Sequence, residues 1–198
     1  MLLRLLHSLA SNPSVYNAIQ LFTGTTTVRR RIQQHTGVCA GRKTVLDVGG
    51  GTGALRDYLP LDCHYICLDV ESPKLQRFRR AHPLGSALLA DATQMPIPSG
   101  SIDVVLCVAV SHHLDDRQLE LFLKEAQRVV KKGGTLLFLD AVLAPHVPAA
   151  RVLWYLDRGS QPRSRFQLEQ VIRDRFDILR IEVFSIFHTY LLVVAEHR

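Results

Sequence analysis

Residues 45–53, Val-Leu-Asp-Val-Gly-Gly-Gly-Thr-Gly, constrain the fold more than any other stretch of the chain. An apolar strand ends in an acid and runs into a glycine-rich turn, and a helix-forming segment, Ala54 to Leu59, follows. At such a turn bare backbone N–H groups approach a ligand, and Gly is required where a side chain would block that approach or forbid the backbone angles. The stretch predicts a nucleotide-type cofactor at the C-terminal edge of a parallel sheet.

Two fingerprints overlap here. Gly49, Gly51 and Ala54 fit the dinucleotide pattern G-x-G-x-x-G/A, a weak signal alone. Asp47, Gly49, Gly51 and Gly53 fit D-x-G-x-G-x-G. An acid two residues before the first Gly suits a cofactor with a cationic amino group, as S-adenosylmethionine (SAM) has, and repels the pyrophosphate of NAD. Charge therefore favours SAM over NAD.

From Lys43 onward strand and helix patterns alternate. Strands are expected at Thr44–Val48, His64–Asp69, Ser86–Leu89, Ile102–Val108 and Thr135–Leu139. Helices are expected at Ala54–Leu59, Pro73–His82 and Asp116–Val130, the last ended by Gly133-Gly134 with Lys131 and Lys132 complementing its dipole. This alternation argues for a parallel sheet covered on both faces. After a helix at Gln167–Phe176, Ile178–Phe187 and Tyr190–Ala195 are joined closely enough to form an antiparallel pair.

The chain has 198 residues, room for one α/β domain, and reads as an N-terminal extension over 1–42 followed by a cofactor-binding domain over 43–198. Its net charge of +6 lies in residues 1–46, which hold Arg4, Arg29, Arg30, Arg31, Arg42 and Lys43 but no acid. Three readings of the extension compete. It is a helical lid, with helices at Val15–Phe22 and Val28–His35. It is an amphipathic segment that brings Leu2, Leu3, Leu5, Leu6 and Leu9 to an anionic membrane surface. Or it is an Arg-rich targeting peptide. No apolar run approaches the roughly 20 residues of a membrane span. Cys39, Cys63, Cys67 and Cys107 are scattered, and Cys63 and Cys67 on one strand would stand about 13 Å apart, too far for a disulfide. Free thiols in a reducing cytoplasm are the expectation.

Asp69 follows the second strand, about where an acid binds ribose hydroxyls. After the third strand, Ala90-Asp91-Ala92-Thr93-Gln94-Met95-Pro96 offers Asp91 to an adenine amino group and Met95 to the ring. Together with Ile102-Asp103-Val104-Val105 and Lys131-Lys132-Gly133-Gly134, these ordered motifs over residues 43–140 resemble the class I SAM-dependent methyltransferases, in particular those acting on small molecules. The resemblance implies a Rossmann-like doubly wound sheet of seven strands, mostly parallel with the last antiparallel. It also implies SAM contacts at Asp47, Gly49, Gly51, Gly53, Asp69, Asp91 and Ala92.

The fourth strand leads to Ser111-His112-His113-Leu114. The sulfonium already activates the methyl group, so a base is needed only for an acceptor that must lose a proton. His113 and His112 are the candidates, His113 favoured because His-Leu resembles the family's ending of strand four; packing or a backbone bond is the alternative role. Asp140 with a His is a weak candidate for a divalent cation, and no metal is expected. Trp154, Tyr155, Arg158, Arg163 and Arg165 lie in a basic, aromatic insert that faces either the acceptor or solvent.

The expected reaction is methyl transfer to O, N or C of a small-molecule acceptor. An RNA methyltransferase or RNA-binding protein is the alternative suggested by the pI of about 9.4. Against it, no Asn/Asp-Pro-Pro-aromatic tetrad follows strand four, and Cys107 is placed poorly for a nucleophile. A SAM-binding partner protein without turnover is the third reading.

Overall fold

The computed structural model describes residues 25–143, 161–186 and 188–198. The expected helix at Val15–Phe22, the Leu-rich start, Trp154, Tyr155 and Arg158 lie outside these residues. Helix α1 (Thr25–His35) and a 3-10 turn (Thr36–Cys39) lead into β1 (Thr44–Val48). There follow β2 (His64–Asp69), α2 (Ser72–Ala81), β3 (Ser86–Leu89), β4 (Ile102–Val108), α3 (Asp116–Val129), β5 (Val130–Val142), α4 (Arg165–Arg173), β6 (Asp177–Ser185) and β7 (Thr189–Glu196). The seven strands form one sheet in the order β3-β2-β1-β4-β5-β7-β6. Strands β1 to β5 pair in parallel, and β7 is antiparallel to both of its neighbours.

The inner strands are apolar on both sides because each side of the sheet is covered. Leu46, Val105, Phe138 and Val193 pack on one face with Phe122 and Leu123 of α3 and Ile172 of α4. Val45, Val104, Leu137 and Leu192 pack on the other with Ile32 of α1 and Phe78 of α2. Ile32 and Cys39 are fully buried, so residues 28–39 complete the core on that face. The cysteines are free, as the sequence leads one to expect, and all four are buried. Among the described residues no helix is long and apolar enough to cross a membrane.

Two elements differ from expectation. Ala54–Leu59 is not an α-helix but a turn with a short 3-10 segment, Arg56–Tyr58. Its bonds run three residues back, Arg56 N–H to Gly53 O and Leu59 N–H to Arg56 O. Six residues before Pro60 do not repay the cost of an α-helical nucleus. Gly133-Gly134 likewise does not cap α3, which ends at Val129 with Val130 already extended. Both glycines lie within β5, where pairing skips from Ile102–Val130 to Val104–Thr135. Gly134 is required there, since a Cβ would come within 2.9 Å of the Asp103 and Lys131 carbonyl oxygens. Lys131 bonds the Asp103 carboxylate at 2.6 Å instead of lying along a helix axis.

Candidate functional site

The turns after β1, β2, β3 and β4 and the C-terminal end of β5 lie along one edge of the sheet, as parallel strands require. Gly49, Gly51 and Gly53 have φ of +68°, +58° and +80°, a region that favours glycine. Two of these glycines are also demanded by close packing. A Cβ on Gly53 would come 2.4 Å from the Phe78 ring, and one on Gly49 would come 2.5 Å from Val110. At Gly51 nothing comes nearer than 3.6 Å, leaving the middle of the turn open for a ligand to approach its backbone.

The expected acids divide. Asp69 is buried at the end of β2, and its carboxylate accepts the Gly51 N–H at 2.9 Å and the Glu71 N–H at 2.8 Å. It thereby ties the glycine turn to the neighbouring strand. A carboxylate has about four acceptor positions, so lone pairs remain for hydroxyl donors. Asp47 is only 1% exposed and lies beneath the turn, where its carboxylate accepts the Tyr65 hydroxyl. Burial pushes its pKa up to about 7, the Tyr65 bond working against the rise and the Asp69 charge adding to it. Asp91 is exposed and accepts the Thr93 N–H and hydroxyl at 2.7 and 2.8 Å. Ala92 and Met95 are buried in the core below that turn.

The turn after β4 holds Ser111, His112 and His113. Ala109 has φ +56°, a strained angle for a residue with a Cβ, and its N–H is held by Leu139 O at 2.9 Å. This reverses the chain into a 3-10 turn, Ser111–His113. Asp140, 1% exposed at the end of β5, gathers this turn. One oxygen accepts the Ser111 hydroxyl at 2.5 Å and the His112 N–H at 3.1 Å. The other meets His112 Nδ1 at 2.6 Å and accepts the Ala141 N–H at 2.8 Å. Burial alone would raise the pKa of Asp140, but the hydrogen bond and charge of His112, with the Ser111 and Ala141 bonds, hold it below the usual value. An ionised carboxylate only accepts, so His112 Nδ1 carries a proton, and in the neutral ring the lone pair is then on Nε2. His113 is exposed, with its ring centroid 4.1 Å from that of His112. No group of three or more His, Cys, Asp or Glu among the described residues is arranged to hold a metal ion.

Sequence reasoning gave Arg163 only a place in an insert facing the acceptor or solvent, and its tie to the histidine turn went unread. Arg163 is 7% exposed, not solvated, and its guanidinium donates to Ser111 O at 2.8 Å, Leu114 O at 2.6 Å and Asp116 at 2.9 Å. The nearby signal was Ser164-x-x-Gln167, a capping box that starts α4 at Arg165 and fixes the preceding residue.

The family described as "Methyltransferase domain" matches residues 46–138. A human thiol S-methyltransferase is 29% identical over 113 residues, 53% of this chain and 45% of that protein. A fatty-acid O-methyltransferase from Mycolicibacterium smegmatis is 35% identical over 104 residues, 50% of this chain and 37% of that protein. The chain thus spans less than half the length of these relatives. Among solved structures, geranyl diphosphate C-methyltransferase from Streptomyces coelicolor, in complex with Mg2+, geranyl diphosphate and S-adenosylhomocysteine, superposes with a TM-score of 0.72 at 12% identity, covering 88% of this chain and 81% of that one. That likeness shows the fold. The open glycine turn and the Asp69 carboxylate beside it suit the backbone and ribose contacts of SAM, and the matched span runs from that turn through β4 into β5. Residues 46–138 thus form a methyltransferase domain, on the fold of the class I SAM-dependent methyltransferases and with SAM as its cofactor.

Proposed function

We propose that this chain methylates a small-molecule acceptor that must lose a proton, a hydroxyl being the simplest, with His112 as the base. The observation that carries this reading is the 2.6 Å bond between His112 Nδ1 and a buried, ionised Asp140. SAM supplies a methyl group already activated by its sulfonium. Asp69 and the N–H groups around Gly51 orient the cofactor, with Asp91 and Ala92 beneath its adenine. Asp47 supports the turn from below.

His112 Nε2 takes the acceptor's proton, and Asp140 remains ionised and balances the imidazolium that forms. A carboxylate-held imidazole of this kind contributes about 10²–10⁴-fold to a reaction that needs a base, and little to one that does not. The geometry therefore favours His112 over His113 as the base, and a hydroxyl over a carboxylate as the acceptor. The similarity to thiol and fatty-acid methyltransferases supports a small-molecule acceptor.

The test is a screen of alcohols, phenols, thiols, amines and carboxylic acids, read by S-adenosylhomocysteine release, with wild type and His112→Asn side by side. Hydroxyl turnover that disappears in His112→Asn is the expected result. Turnover confined to carboxylates, or equal in the two proteins, would refute the base assignment.

A further inference from the structure

A buried cation is costly to desolvate unless it is paired, and an apolar residue of similar size is often no worse for stability. Arg163 is such a cation. Its carboxylate partner, Asp116, has a side chain 92% exposed, so this pair reaches water on one side only. The other guanidinium bonds go to backbone carbonyls, Ser111 O at 2.8 Å, Leu114 O at 2.6 Å and, more loosely, Gln161 O at 3.5 Å. Ser111 and Leu114 bracket the two histidines. Of the two carbonyls between them, His112 O accepts the Gln161 N–H at 2.5 Å. Thus Gln161 and Arg163 hold the histidine turn by its carbonyls, while Asp140 holds it by the Ser111 hydroxyl, the His112 N–H and the His112 ring. Arg163 O also accepts the Leu143 N–H at 2.8 Å, which ties the same residue to the strand end that bears Asp140.

These bonds form a closed frame. Asp140 grips the His112 ring, and Arg163 grips the backbone on both sides of that ring while bonded to the strand that carries Asp140. A planar fork can hold two carbonyls at once, whereas a lysine ammonium is a single flexible point of charge. We propose that Arg163 is a positioning residue for His112: by clamping the Ser111 and Leu114 carbonyls it holds the imidazole in register with Asp140 and so fixes which ring nitrogen bears the proton. The inference rests on His112 being the base, and it assigns Arg163 no contact with acceptor or cofactor.

The experiment reads the ring itself and needs no acceptor. Long-range 1H–15N correlation spectra of the full chain with S-adenosylhomocysteine report the His112 tautomer, with His112→Asn identifying the signals. In wild type a single Nδ1–H form is expected. In Arg163→Lys the His112 nitrogens should move towards each other as the Nε2–H form becomes populated, while S-adenosylhomocysteine affinity stays within about twofold. Arg163→Gln, which also removes the buried charge, carries the test if the Lys variant does not fold. His112 shifts like those of wild type in either folded variant overturn the positioning role and leave the base assignment standing. A wild-type His112 in the Nε2–H form overturns the base assignment itself, and the positioning role with it. Failure of both variants to fold makes Arg163 a stability residue and also overturns the proposal.

Discussion

Asp47 and Asp69 end neighbouring strands and are both buried, yet they face different surroundings. Asp69 accepts two backbone N–H groups at the cofactor edge, so Asp69→Ala is expected to weaken SAM by about 1–3 kcal/mol in a calorimetric titration. An unchanged affinity would place the ribose elsewhere. Asp47 is locked under the turn with Tyr65, and its pKa is raised from 3.8 to about 7. An acid whose pKa is higher in the folded state holds more protons there than when unfolded. Its contribution to stability is full below pH 3.8 and is lost as pH rises through about 7. Asp47→Asn, with an amide that still accepts the Tyr65 hydroxyl, should flatten the fall in melting temperature between those values. A variant that follows the wild-type curve would show that another group governs the decline. The acid and its spacing to Gly49 were legible in the sequence, but its partner was not, because Tyr65 meets it only across paired strands. The Asp140–His112 bond and Arg163 were hidden for the same reason: each joins segments 28 or more positions apart.

Among the elements, α3 was legible almost to the residue because two signals agree. Leu119, Phe122, Leu123, Ala126 and Val129 recur at helical spacing on its buried face. At its start Asp115 and Gln118 exchange side-chain-to-backbone bonds of 2.8 and 2.9 Å. Asp115→Ala should cost about 0.5–2 kcal/mol in urea unfolding, with an unchanged slope. A loss below that range would mean the exposed cap adds little to a helix already held by its apolar face. Ala54–Leu59 misled because its composition favours a helix while its length and Pro60 do not. Gly133-Gly134 misled because a glycine pair after a helical pattern looks the same whether it ends a helix or bends a strand. Only the skip in pairing between β4 and β5 separates the two, and that is a property of two chain segments together.

At the scale of the whole molecule, stability should be graded across the sheet. Strands β1 and β4 have neighbours on both sides and packed faces, whereas β3 and β6 are edges with one neighbour each. In hydrogen–deuterium exchange the amides of β1 and β4 should be the last to exchange and those of β3 and β6 the first. Uniform rates would mean the sheet opens only as one unit. This architecture was legible because apolar strand runs followed by helical periods admit few arrangements, and the antiparallel β7 came through the resemblance and the short link before it. The tie from Leu143 to Arg163 has a consequence for how such a protein diversifies. Leu143 and Arg163, on either side of residues 144–160 in the chain, are bonded to each other within the frame that holds the His112 ring. The entropy of closing a loop grows only slowly with its length. A stretch of different length and composition can therefore be exchanged at that place over generations, or by a protein engineer, and the imidazole and its carboxylate would stay where they are.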